Sequence, residues 1–349
     1  MTDATTETAA HDAVLVVSFG GPEGPDDVLP FLENVLRGRN VPRERMLEVS
    51  EHYSLFGGVS PINSQCRDVI AALKQELDAH QIELPIYWGN RNWHPMLSDT
   101  MEQMARDGVR RALAFVTSAY SSYSSCRQYR ENILTAQEAV GGTAPVVEKL
   151  RVFYNHPDFV EANIDRLQDA VAELGPESGD TFHIAFTAHS IPDSMADGCD
   201  YVQQLTEVSH LAAESLGLTE DRWKLVYQSR SGPPHIPWLE PDICDHLEAL
   251  KSDGVNDVIV MPIGFLSDHM EVIFDLDHEA RETSERIGLN MIRSGTVGTH
   301  PKFITMIRKL ISERLFDADR EAAGTCPPRP DRCGEDCCPA PARHPRGPK

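Results

Sequence analysis

Phe186-Thr-Ala-His189-Ser-Ile-Pro192 sets a histidine directly after a run that reads as a buried strand, and Pro192 stops that strand from continuing. Imidazole titrates near neutral pH, so such a residue can take a proton from a weakly acidic N–H or bind a metal. A hydrogen-bonded structural histidine would fit the same place. A second stretch, Gly264-Phe-Leu-Ser-Asp268-His269-Met-Glu271-Val-Ile-Phe-Asp275-Leu-Asp-His278-Glu279, follows another apolar run. Glu271, Asp275 and Glu279 recur every fourth residue and so stack on one helix face. Like charges at that spacing weaken a helix, yet a row of carboxylates can pass along protons or a hydrated divalent ion, which favours oxygen ligands. A solvated acidic face is the competing reading. The row starts at the carboxyl end of a strand and lies in the same half as His189, which favours chemistry.

Four of the eight cysteines are scattered, and Cys326, Cys333, Cys337 and Cys338 crowd into 13 residues near the end. Such a group signals a soft metal or a cluster. Neighbouring side chains are expected to diverge, so Cys337 and Cys338 should not both ligate one centre. The tail then offers three thiolates, with a fourth from elsewhere; a zinc site or plain reduced thiols are the alternatives. Two loops, Tyr120-Ser-Ser-Tyr-Ser-Ser-Cys126-Arg-Gln-Tyr129 and His52-Tyr53-Ser-Leu-Phe-Gly57-Gly58-Val-Ser60-Pro61, could line a pocket for a flat ligand.

The elements that must carry these residues alternate. Apolar runs at 13–19, 84–89, 111–117, 149–154, 183–188, 223–228 and 257–265 read as strands. Helical patterns at 25–37, 64–79, 96–107, 128–140, 157–174, 200–216, 242–252, 269–287 and 301–315 separate them. That alternation predicts an α/β fold of two doubly wound parallel-sheet domains, whose ligands bind beyond the carboxyl ends of the strands. The expected division is a disordered 1–11, a first domain 12–150, a second domain 151–320 with the catalytic residues, and a Cys/Pro-rich tail 321–349. Seven prolines between Pro327 and Pro348 exclude a helix there.

Length and composition agree. The 349 residues are 41% hydrophobic and 25% charged, enough for a sizeable core without disulfides. Mean hydropathy is −0.34 and no apolar run approaches the ~18 residues of a spanning helix. A net charge of −22 argues against nucleic acid as a partner. The start has no basic segment before an apolar one, so a cytoplasmic location is expected.

At these residues the sequence resembles the ferrochelatases, which insert Fe²⁺ into a porphyrin. The anchors are Ser18-Phe-Gly-Gly-Pro22, Gly57-Gly-Val-Ser-Pro61, Thr187-Ala-His-Ser-Ile-Pro192, Tyr227-Gln-Ser-Arg230 with Pro237-Trp-Leu-Glu-Pro241, and Gly264-Phe-Leu-Ser-Asp-His-Met-Glu271. Arg37-Gly-Arg39, the Tyr-Ser loop and the cysteine-rich tail resemble the actinobacterial branch, which implies coproporphyrin III as substrate and a [2Fe–2S] cluster. The resemblance makes His189 and Glu271 the metal-handling, catalytic pair, with Asp275 and Glu279 on the iron path. It places Ser60, Tyr129, Phe19, Tyr53 and Arg37 at the porphyrin. Cys126, Cys326, Cys333 and Cys338 would hold the cluster, with Cys338 taken over Cys337. In some members a tyrosine of the first loop ligates the product iron; that position is Phe19 here. On this reading a neutral His189 accepts a pyrrole proton, and the two domains clamp and bend the macrocycle. Arg37, Arg39 and Arg127 would offset the general negative field for a tetrapropionate substrate. Transient contact with neighbouring haem-pathway enzymes is expected. Protoporphyrin IX is the alternative substrate; a haem carrier or iron–sulfur regulator is the alternative of another class.

Overall fold

The computed structural model describes residues 11–38, 41–175 and 181–340. Two four-stranded sheets, each wholly parallel, form an α/β fold. The first has the order β2-β1-β3-β4, from Ala13–Ser18 (β1), Ile86–Asn90 (β2), Arg111–Val116 (β3) and Val146–Lys149 (β4). The second has the order β6-β5-β7-β8, from His183–His189 (β5), Trp223–Gln228 (β6), Asp257–Met261 (β7) and Asn290–Arg293 (β8). Central strands covered on both faces need unbroken apolar sequence; all six residues of β1 are buried.

The helices α1 (Pro25–Val35), α2 (Arg43–Ser54), α3 (Ile62–Ala79), α4 (Leu97–Arg106) and α5 (Gln128–Val140) belong to the first half. The second half carries α6 (Pro157–Leu174), a short α7 (Asp193–Ala196), α8 (Tyr201–Ser215), α9 (Ile243–Ser252), α10 (Met270–Phe274), α11 (Arg281–Ile287) and α12 (Pro301–Leu315). A π-helical segment, Asp275–Ala280, joins α10 to α11. The predicted helix over 269–287 is therefore one rod with a wider turn in its middle.

Three expectations change. The stretch 149–154 is not a strand of the second half: the ladder runs over Val146–Lys149 in the first sheet, and its last bond is Leu150 N–H to Ala114 O at 2.9 Å. Beyond it Arg151 turns inward and grips Glu313 of α12 with two 2.8 Å bonds, while Phe153 and Tyr154 fill the space between the sheets. Second, His52 and Tyr53 belong to helix α2, not to a loop. Third, β8 completes the second sheet.

The two sheets share one apolar core. Leu73, Phe115 and Phe153 pack with Phe159, Phe186, Ile263 and Phe303. A separate cluster joins Phe31, Met46 and Tyr53 of α1 and α2 to Met270 and Phe274 of α10. His52 stacks flat on Phe274, with ring centroids 3.8 Å apart. The α1–α2 pair thus lies against the helix that begins the acidic row. Among the described residues no helix is long and apolar enough to cross a membrane.

Candidate active site

His189 is the last residue of β5, and Glu271 is the second of α10, just after the β7 loop. The close approach between strand and loop depends on Gly264: a Cβ there would stand 2.7 Å from Ala188 Cβ and 2.8 Å from Ala188 Cα. His269 caps α10, its Nδ1 accepting from Glu271 N–H at 3.2 Å. Arg293 of β8 holds the same rod, donating to Asp268 at 2.7 Å and to both oxygens of Asp277 at 2.7 and 2.9 Å.

So placed, His189 Nε2 lies 3.6 Å from Glu271 Oε1. The Nδ1 nitrogen donates to Ser190 O, because a carbonyl can only accept. Nε2 is therefore the nitrogen that gains or loses a proton. Burial pulls the imidazole pKa down, but the Glu271 carboxylate outweighs it and the net result is a rise to about 9. Glu271 is the mirror case: burial raises its pKa, the imidazolium lowers it, and it falls to about 2. Both directions favour an imidazolium beside a carboxylate.

Asp275 follows in line. Burial, then the charges of Glu271 and Glu279, lift its pKa to about 7 against the hydroxyl of Ser229, which donates to Oδ2. Glu279 is also raised, by burial and by Asp242. Beside it opens a 470 Å³ cavity lined by Asp242, Cys244, Glu279 and Glu282. The row thus grades from an ionised carboxylate at the histidine to one half protonated near neutrality, then to the surface.

Of the sites expected from the first half, Tyr53 and Phe19 share a cluster with Met270 and Phe274 of α10. Tyr53 is buried, 6.0 Å from Phe31, and the charge of Glu271 adds to the burial that raises its pKa. Phe19 lies 6.3 Å from Phe31. Ser60 is buried, its N–H bonded to Pro22 O at 2.9 Å. Tyr129 is buried on α5 beneath Arg91, whose guanidinium carbon sits 4.4 Å from its ring centroid and 5.6 Å from that of Phe19. Arg37 lies exposed at the end of α1, donating to Asn34. Arg127 does not face this region: it pairs with Glu131 at 3.0 Å and donates to Cys337 O at 3.2 Å. Arg39 lies outside the described residues. Sequence reasoning passed over Arg91, although it stands just past β2, at the edge where ligands bind. Its hydrogen-bond partners are uncharged: Asn132 Oδ1 at 2.6 Å and Ser124 O at 3.4 Å.

The thiols form a second group. Cys333 and Cys338 lie within electrostatic reach of Cys126 and Cys337, and Cys338 also of Cys199; burial first, then these neighbours, raise both pKa values. The sulfurs of Cys337 and Cys338 do not diverge. They are 3.5 Å apart, because Cys338 has φ +51° and turns its side chain back. Cys326 packs against α8, with its Sγ 3.8 Å from Gln203 Nε2 and its N–H held by Glu207 at 3.0 Å. Among the described residues the group of three donors drawn within 4.8 Å of one another is His156, Asp158 and Glu321; no three of the cysteines are drawn that close. The Lys309 ammonium already lies 2.9 Å from Asp158 and 2.8 Å from Glu321. It fills the place of a cation, so the triad ties the tail to α6 and α12.

Comparison with known proteins follows the same lines. SirB from Bacillus subtilis with Fe³⁺ superposes with a TM-score of 0.55 at 12% identity, covering 87% of this chain and 96% of that one; this likeness speaks for the fold alone. A protein named ferrochelatase from Rhodopirellula baltica is 54% identical, covering 95% of each chain. Proteins named coproporphyrin III ferrochelatase from Streptomyces coelicolor (51% identity, 97% of this chain and 96% of that one) and Nocardia farcinica (48%, 96% and 98%) are similar over the same span. With the family model described as ferrochelatase matching residues 11–315, this chain belongs to the ferrochelatase family.

Proposed function

We propose that the chain works in the cytoplasm in haem biosynthesis, inserting Fe²⁺ into coproporphyrin III with loss of the two pyrrole N–H protons. The observation that carries the reading is His189 facing Glu271 across 3.6 Å at the head of an acidic row. Its similarity to proteins named coproporphyrin III ferrochelatase supports the substrate.

The resting ion pair sets the order of events. Fe²⁺ arriving along Glu279 and Asp275 meets Glu271 and neutralises the charge that holds the His189 pKa up. The imidazolium then gives up its proton, for which Asp275, poised near pH 7, is the adjacent acceptor. Neutral Nε2 can now take one pyrrole proton as the metal moves into the ring, and the Glu271 carboxylate, released by the departing metal, takes the second. Tyr53, Phe19, Tyr129 and Ser60 line the porphyrin side, and Arg91 and Arg37 offer positive charge to propionates. Phe19 supplies no axial ligand to the product.

The test is anaerobic. Protein is mixed with Fe²⁺ and coproporphyrin III, with protoporphyrin IX in parallel, and the free-porphyrin bands are followed. Catalytic loss of the coproporphyrin bands, much slower with protoporphyrin, is the expected result, and His189→Ala should bind porphyrin yet lose turnover at least ~100-fold. Stoichiometric binding without turnover by the unmodified protein would replace the enzyme with a carrier.

We also propose that Cys126, Cys326, Cys333 and Cys338 hold a [2Fe–2S] cluster. The nearness of Cys126 to Cys333 and Cys338 supports it, since thiols placed together can release their protons as they bind a metal centre. Bound there, the cluster would supply cross-linking and one-electron redox chemistry. Transient contact with neighbouring haem-pathway enzymes fits the exposed Val41, Leu47, Leu55 and Val59 on and beside α2.

A further inference from the structure

We infer that Gln228 is a positioning residue for the proton-transfer pair: its backbone holds the chain just beyond His189, and its side chain holds the rod bearing Glu271 and Asp275. The inference deepens the proposed function and rests on it.

Gln228 ends β6 and stands in register opposite His189. Its carbonyl accepts from Ser190 N–H at 2.8 Å, the bond that fixes the chain just beyond His189. Its side chain crosses to the other partner. Nε2 donates to Glu271 O at 2.6 Å and reaches Asp275 Oδ2 at 3.4 Å. That carbonyl is not taken by the usual partner. In a regular α-helix Glu271 O would accept from Asp275 N–H, but here the Asp275 N–H goes to Val272 O as the rod passes into its π segment. Side chains that insert into a helical ladder are a recognised way to hold such an irregular turn. Gln228 fills the gap the turn creates.

The residue is 1% exposed, and its Oε1 has no hydrogen-bond partner among the described residues. Leaving a buried amide oxygen unpaired costs about 1–3 kcal/mol. A purely structural need would be met by an apolar side chain of the same length without that cost. The two N–H donors are what the position uses. Gln228 touches neither Nε2 of His189 nor the carboxylate of Glu271, so it acts through their placement.

The test compares Gln228→Met, which keeps the length and removes both donors, with the unmodified protein under anaerobic turnover. The expected result is a fall in kcat of at least tenfold, with KM for the porphyrin and its affinity by fluorescence titration within twofold. Gln228→Glu, which keeps the shape but sets acceptors against Glu271 O and Asp275, should lose at least as much. It decides the matter if the methionine variant does not fold. Turnover within twofold of normal in the folded variants would overturn the inference. So would equal losses of kcat, porphyrin affinity and melting temperature, which mark a general packing defect. Absence of turnover in the unmodified protein would instead overturn the underlying reading.

Discussion

Asp275 sits between Glu271 and Glu279 in a place that suits its protonated form. Its pKa is near 3.8 when unfolded and about 7 in the fold, so the folded state binds the proton more tightly. Stability is therefore lost as pH rises from about 4 through 7. Asp275→Asn should raise the melting temperature at pH 8 by roughly 2–4 °C and leave it little changed at pH 4, while slowing iron insertion. Equal melting shifts at both pH values would show that the carboxylate is not strained. Such a residue trades stability for function, as sites commonly do. At this scale the sequence was informative where chemistry and placement coincide. His189 and Glu271 follow strand ends, and their types announce proton and metal work. Gln228 and Arg91 stand at strand ends too, but an amide carries no titratable signal and a lone arginine is common. The charge state of His189 was not legible, because it depends on a 3.6 Å distance that two strands, a loop and a cap must set.

Among the elements, the loop that follows β7 does the closest work. Gly264→Ala would press a methyl into Ala188, on backbone that belongs to the strand of His189. Overpacking of this kind costs about 1–3 kcal/mol. Urea unfolding of the variant should show an earlier midpoint with an unchanged slope, and turnover should fall as α10 shifts against β5. A variant with normal midpoint and turnover would mean the loop yields freely. Sequence periodicity found the bounds of β6, α5, α6 and α12 because each buries a regular stripe or a whole strand. It passed over α2, where only Met46 and Tyr53 of twelve residues are buried, and β8, four residues of which one is buried. It misplaced β4 because Leu150–Tyr154 is apolar enough for a strand yet serves the core between the sheets.

At the level of the whole molecule, a shared apolar core joins the two sheets. The α1–α2 pair, resting on α10 through a small separate cluster, is a candidate for movement. On the opposite account, the tail binds both halves without secondary structure. Asp200 takes Arg329 at 2.9 Å and Glu207 takes the Thr325 N–H at 2.7 Å. Glu148, held near pKa 2, takes Arg332 at 2.6 Å together with His11 and Arg111. If the tail carries the proposed cluster, Cys333→Ser should lower the melting temperature and bleach the visible colour together. Colour lost with unchanged melting would favour redox sensing over a structural role.

The tail has one more consequence, in time rather than space. A ribosome releases the strands of the first sheet by Lys149 and those of the second by Arg293, each set uninterrupted by the other. Both halves can fold while synthesis continues. Glu148, however, waits 184 residues for Arg332. A nascent chain stopped between α12 and that arginine would hold both sheets but leave a carboxylate short of its last cation and Cys126 without its neighbours. These contacts thus close only after both sheets have been made.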